Sequence, residues 1–182
     1  YSEGANKEAL RHIVGVQFRN LATVGGSVFG RFGFSGVLTL LLVMDSYVEL
    51  YKGGIVPLAD FVNMPYDRDI LVRVIVKKTA AHYSYKSVRI SKTDFPVLTC
   101  AAALTQEGVQ AAVGARPAKA ALVKDAEQLA TLPMTAEKAQ AFAEYAAGLL
   151  PTETNPRGSA AYRTHLIKVL TARCLTELGG KA

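Results

Sequence analysis

Apolar and polar positions fall into two successive patterns along the chain. Residues 5–14 (ANKEALRHIV) carry apolar positions at helical spacing and predict a short helix that breaks at Gly15. The segment Arg19–Phe34 (RNLATVGGSVFGRFGF) scatters glycines and a serine among apolar residues without a helical period, which predicts a loop-rich stretch with room for short strands. Ser35 then caps a helix whose body is the apolar run ending at Met44, and Asp45 stops it. A β-hairpin follows: Tyr47, Val48, Leu50 and Tyr51 are strand formers, Lys52-Gly53-Gly54 the turn, and Ile55–Leu58 the return. Ala59-Asp60-Phe61 begins a connecting turn, and the β-branched run 69–77 (DILVRVIVK) is a further strand.

A second pattern opens after Lys78. Three strands are predicted at His82–Ile90, Val97–Thr105 and Val109–Ala115, the last two joined into an antiparallel hairpin across Gln106-Glu107-Gly108. Three helices should follow: about 124–131, then Thr135 as cap to Gly148 as stop, then Ser159 as cap to Gly179-Gly180. In the last, Tyr162, Leu166, Val169, Leu170 and Cys174 recur at helical spacing and predict one buried face. Strands in one block and helices in the next indicate an α+β fold rather than a doubly wound sheet. The expected organisation is an antiparallel sheet with flanking helices over 1–78, then a three-stranded antiparallel sheet packed on a three-helix bundle over 79–182. There is no internal repeat.

Composition narrows the function classes. Half the residues are hydrophobic and a fifth charged, as in globular domains. The dense apolar run Val37–Met44 falls well short of the roughly 20 residues of a membrane span, so no membrane association is expected. The net charge of +6 is scattered, with Lys77-Lys78 the only adjacent basic pair, so no nucleic-acid partner is expected either. The N-terminus shows no basic stretch followed by an apolar core, which points to the cytoplasm. Cys100 and Cys174 both sit in apolar segments and read as buried free thiols, with one disulfide left open. His12, His82 and His165 are isolated from one another and from the cysteines, so no metal site is implied.

The segment that carries chemistry is Arg19-Asn20-Leu21-Ala22-Thr23-Val24-Gly25-Gly26-Ser27. Adjacent glycines let the backbone approach a ligand with no Cβ in the way, and consecutive amides suit anionic oxygens. Thr23 and Ser27 add hydroxyl donors. On the residues alone a plain tight turn is the commoner reading, and they match neither the dinucleotide fingerprint nor a P-loop.

That phrase, followed by Phe34-Ser35 opening an apolar helix, resembles the second FAD-binding segment in the flavoprotein subunit of the molybdenum hydroxylases, the xanthine and carbon-monoxide dehydrogenase family. Four more pieces resemble the family in order: Pro57-Leu58-Ala59-Asp60-Phe61; Asp69-Ile70-Leu71; Tyr85-Lys86-x-x-Arg89 with Thr93-Asp94-Phe95; and Pro156–Arg163 (PRGSAAYR). The resemblance implies FAD contacts from Thr23, Gly25, Gly26 and Ser27. It also implies Ser35 near the cofactor, Leu71 packed by the flavin or adenine, and Lys86 at the cofactor's edge. Their plain structural readings are a helix cap, a core residue and a solvated strand lysine. Tyr162 and Arg163 would pack the helices.

Two departures stand out. The aspartate that usually follows the family's serine is Gly36 here, and the family's first FAD loop is not among these residues. The resemblance therefore implies a piece of a longer flavoprotein, inactive alone and holding FAD incompletely or not at all. The implied activity is electron transfer from iron–sulfur clusters through FAD to NAD or another acceptor. The implied partners are a molybdopterin-binding large subunit, which would hydroxylate the substrate, and a 2Fe–2S subunit, with a homo-oligomer left open. No cysteine pattern for iron–sulfur ligation and no acid–base pair occurs in the chain itself. The alternatives are a non-catalytic assembly or regulatory module of the same fold, and a flavoprotein of the wider fold such as an alcohol oxidase.

Overall fold

The computed structural model describes residues 2–181. Four short helices come first: α1 (Ala5–Arg11), α2 (Val16–Leu21), α3 (Val24–Phe29) and α4 (Gly36–Leu42). The hairpin β1 (Ser46–Leu50) and β2 (Gly54–Pro57), the helix α5 (Leu58–Asn63) and β3 (Leu71–Val76) complete the first half. The second half runs β4 (His82–Val88), β5 (Leu98–Thr105), β6 (Gly108–Gly114), β7 (Ala121–Lys124), α6 (Ala136–Leu149) and α7 (Ala160–Gly179). Both sheets are wholly antiparallel, in the orders β2-β1-β3 and β4-β5-β6-β7. The fold is α+β.

Caps set the helix starts as their side chains predict. Leu38 N donates to Ser35 Oγ at 3.2 Å, Lys138 N to Thr135 Oγ1 at 3.3 Å, and Tyr162 N to Ser159 Oγ at 3.1 Å. Two segments differ from expectation. The glycine-rich stretch holds the helices α2 and α3 rather than loops and strands. Val16, Phe18 and Leu21 of α2 all face outward, so no buried stripe exists to produce a helical period. Residues 121–124 form a fourth strand on β6, and the helix expected over about 124–131 does not form. Asp125 closes that stretch by accepting from Leu129 N at 2.9 Å and Ala130 N at 2.7 Å, a side-chain substitute for a backbone turn.

The four-stranded sheet is buried on both faces. Cys100, Ala102 and Leu104 of β5 pack with Phe142 of α6 and Ile167 of α7. The alternate residues Ala101 and Ala103 pack on the other side with Leu38, Val48 and Phe61 from the first half. Alanines on both faces let helices approach the sheet closely, and the second core joins the two halves of the chain. Thr39 Oγ1 meets Thr99 Oγ1 at 3.0 Å across that junction.

On α7 the expected buried face shifts. Leu166, Leu170 and Cys174 are buried as expected, whereas Tyr162 is exposed and Val169 half-buried, and Arg163 and Ile167 take buried places instead. Cys100 and Cys174 are buried free thiols, with Cys100 Sγ 3.5 Å from Thr171 Oγ1. Among the described residues no helix is long and apolar enough to cross a membrane.

Candidate functional site

The Gly-Gly segment is the first turn of α3. Thr23 is its cap, in extended conformation, and its side-chain oxygen accepts from Gly26 N at 3.0 Å while its carbonyl accepts from Ser27 N at 3.1 Å. A Cβ on Gly26 would stand 3.0 Å from Thr23 Oγ1, so the cap itself favours glycine there. Gly25 is under no such pressure. A Cβ on it would meet only Leu71 Cδ2, at an ordinary 3.8 Å.

Thr23 takes the amides of Gly26 and Ser27, which leaves the earlier first-turn amides, of Val24 and Gly25, without acceptors in their own helix and open to an anionic ligand. The turn is open: Thr23, Val24 and Gly26 are exposed, and a groove of about 200 Å³ runs along Thr23, Val24 and Ser27 to Leu10 and Val37. Arg19 braces its rim by donating to the carbonyls of Ile13 at 3.0 Å and Val14 at 3.3 Å.

Of the residues singled out from sequence, the fold gathers Thr23, Gly25, Gly26, Ser27 and Leu71 at this turn. Ser35 sits apart as the buried cap of α4, its hydroxyl committed to Leu38 N, although Val37 two residues on lines the groove. Lys86 lies on β4 in a different groove, walled by α1 and α7, and its Nζ contacts Glu177 Oε2 at 2.7 Å.

Gly36 is closed. A Cβ there would come within 2.5 Å of Tyr85 Oη and 3.0 Å of the Ala9 carbonyl oxygen, so no aspartate fits. The Tyr85 hydroxyl is buried without a hydrogen-bond partner, and burial pushes the phenol up from its ordinary range, so it stays protonated. The position where the resemblance implies an aspartate is packed shut by the β4 tyrosine. The residues present fit one side of a flavin nucleotide, at the α3 turn, and not this second contact.

Glu177, 91 residues beyond Lys86, carries no sequence signal for its role. Partial burial alone would raise its carboxyl, but hydrogen bonds from Lys86, Lys181 and Ser84 outweigh that and lower it to about 2. A depressed carboxylate adds stability above its unfolded pKa and loses it as pH falls from 4.5 towards 2. Its side chain is 41% exposed, so solvent screening reduces the contribution to about 1 kcal/mol. Glu177→Gln should therefore lower urea stability by about that amount at pH 7 and by nothing near pH 2, flattening the acid limb. Equal losses at both pH values would refute the coupling.

Comparison with known proteins places this geometry. Residues 83–178 match the CO dehydrogenase flavoprotein C-terminal domain, and residues 2–79 the FAD binding domain in molybdopterin dehydrogenase. The chain is 29% identical over 169 residues to the uncharacterized protein YgfM of Escherichia coli K12, covering 92% of this chain and 62% of that protein. It thus spans less than two thirds of that relative's length.

Among solved structures, quinoline 2-oxidoreductase from Pseudomonas putida 86 superposes with a TM-score of 0.78 at 22% identity, over 96% of this chain and 66% of that one. Carbon monoxide dehydrogenase from Hydrogenophaga pseudoflava gives 0.84 at 20%, over 96% and 67%. At such identities the superpositions speak for the fold, while the domain matches, which together take in nearly every residue, speak for the family. The chain belongs to the flavoproteins of the molybdopterin dehydrogenases: an FAD-binding domain followed by a CO dehydrogenase flavoprotein C-terminal domain.

Proposed function

We propose that this chain is part of the FAD-binding electron-transfer subunit of a molybdenum hydroxylase of the xanthine dehydrogenase type. The observation that carries the reading is the open start of α3, where Thr23, Val24 and Ser27 border a groove and two glycines leave the adjoining backbone bare. FAD, when bound, accepts electrons from iron–sulfur clusters and passes them to NAD or another acceptor. The chain's own part is to bind and orient. The Gly25 amide and the Thr23 and Ser27 hydroxyls would hold phosphate oxygens, Gly26 would keep the backbone bare beside them, and Leu71 would exclude water.

Residues 1–78 then serve as the remainder of an FAD domain and residues 79–182 as the C-terminal domain. Lys86, held by Glu177, would stand at the cofactor's edge. One solved relative is described as lacking the Mo-pyranopterin moiety of its molybdenum cofactor, which supports a molybdopterin-carrying partner for this chain; a 2Fe–2S partner and a cytoplasmic location complete the proposal. The rest of the cradle would come from sequence outside these residues, and the piece alone should be inactive.

The full-length protein should be yellow, absorbing near about 450 nm as oxidised flavins do. Gly25→Ala is the sharper test. Its new Cβ meets only Leu71 at 3.8 Å, so the fold tolerates it, yet it stands where backbone must approach phosphate. FAD affinity of the full-length protein, followed by flavin fluorescence quenching, should fall about tenfold or more with stability unchanged or slightly higher. Unchanged affinity would remove the α3 turn from the cofactor site.

A second reading is favoured by Gly36 alone. With that position shut by Tyr85, a non-catalytic assembly module of the same fold would bind no FAD. A colourless full-length protein that takes up no added FAD would select it.

A further inference from the structure

We propose that the cleft between the two sheets is a second binding site, for a small uncharged molecule with an aromatic body and an amide edge. The cleft holds about 400 Å³ between the start of β1, the turn into α5, the linker before β4 and the tip of the β5–β6 hairpin. That volume lies within the roughly 300–1,000 Å³ usual for small-molecule sites, which favour domain junctions. None of its residues lines the groove beside Thr23.

The wall chemistry selects the ligand class. Leu42, Met44, Leu58 and Leu122 supply apolar surface, and Tyr47 and Tyr83 contribute rings. The charges are already committed. Lys124 pairs with Glu107 at 3.8 Å, and Asp45 with Lys77 at 4.0 Å, Lys77 also donating to Tyr47 Oη at 3.1 Å. These pairs lie at the solvent-exposed rim, so a charged ligand would gain little from them while losing part of its own hydration in the cleft.

The group left over is a hydroxyl. Ser46 lines the cleft, is 6% exposed, and its Oγ has no hydrogen-bond partner. The oxygen itself is closed to solvent, and with no bond to break a turn about χ1 to another staggered well would present it to a ligand. It offers both a donor and acceptors to an amide edge. Gln110 stands beside it, its side chain fixed by donation to the Val43 carbonyl at 3.0 Å.

The test is titration of the chain with benzamide, benzoate and benzylamine, three molecules of one shape and different charge, read from backbone amide NMR shifts. Benzamide should give saturable shifts around Ser46 and Gln110, with the two ions about tenfold weaker or more. Ser46→Ala should weaken benzamide about two- to tenfold, the loss of one hydrogen bond, and leave the melting temperature of the free protein unchanged or higher. The proposal is overturned by an absent or unsaturable benzamide response, by three equal affinities, or by unchanged affinity in Ser46→Ala. A lower melting temperature in Ser46→Ala would overturn it too, because the hydroxyl would then already have a partner.

Discussion

Arg163→Ala is expected to destabilise the protein by about 4 kcal/mol or more, the cost of leaving several buried acceptors unpaired. Arg163 is 1% exposed at the start of α7. Its Nε donates to Val97 O at 3.0 Å, Nη1 to Glu153 O at 2.7 Å and Gly158 O at 2.5 Å, and Nη2 to Asn155 Oδ1 at 2.6 Å. One guanidinium thus ties the entry of β5, the turn Asn155–Gly158 and the start of α7 into a single unit. Burial, and repulsion from Arg157 after it, lower its pKa, but a guanidinium still carries its charge at neutral pH. Arg163→Lys should recover less than half of the loss, because a single ammonium cannot reach acceptors spread around a planar fork. Arg173→Ala, an exposed arginine on the same helix, should stay within about 0.5 kcal/mol. Urea titrations measure all three. A loss below about 1 kcal/mol for Arg163→Ala would mean that water replaces the guanidinium at little cost.

That residue also shows where the sequence is legible and where it is not. Periodicity rightly places Leu166, Leu170 and Cys174 on the buried face of α7 but adds Tyr162 and Val169 and leaves out Arg163, because tyrosine and valine look like core and arginine does not. At Tyr162 and Arg163 the fold does the opposite, since the carbonyls gathered by the Asn155–Gly158 turn need donors and an apolar side chain has none. The starts of α4, α6 and α7 are readable because each depends on one hydroxyl bonding an amide three residues on. β7 is not readable, because its four residues gain their partners from β6 and carry little strand signal of their own.

The candidate site divides in the same way. Thr23, Gly25, Gly26 and Ser27 are neighbours in sequence and stay neighbours in space, so a motif can carry them. The contact between Gly36 and Tyr85 spans 49 positions from α4 to β4 and is invisible until the second core is assembled. The pairing of Lys86 with Glu177 likewise depends on how α7 crosses the sheet. What a motif preserves at this site is the stretch of backbone that offers amides, and what the fold adds is the set of side chains that decide how much room remains beside it.

Gly36→Asp, which installs the aspartate that the resemblance implies at this position, is expected to cost about 3 kcal/mol or more and to weaken any FAD binding rather than improve it. The added Cβ would lie 2.5 Å from Tyr85 Oη and 3.0 Å from Ala9 O, and the neighbours have little room to yield. The phenol is 4% exposed and the carbonyl belongs to helix α1. The carboxylate would further be driven into a region where the Tyr85 hydroxyl is already unpartnered. Tyr85→Phe removes the nearest atom and an unsatisfied hydroxyl together, so alone it should be neutral or stabilising by about 1 kcal/mol. It leaves the ring carbon Cζ at 3.3 Å, close but within what a small shift can absorb. Gly36→Ala should cost about 1–3 kcal/mol in the parent and much less beside Tyr85→Phe. A double-mutant cycle on urea stability reads that coupling directly. If Gly36→Ala costs the same in both backgrounds, Tyr85 is not what closes the position, and the missing aspartate needs another cause. If the coupling holds and FAD uptake by the full-length protein is unaffected by Tyr85→Phe, then the α3 turn holds its side of the cofactor without help from the α4 terminus.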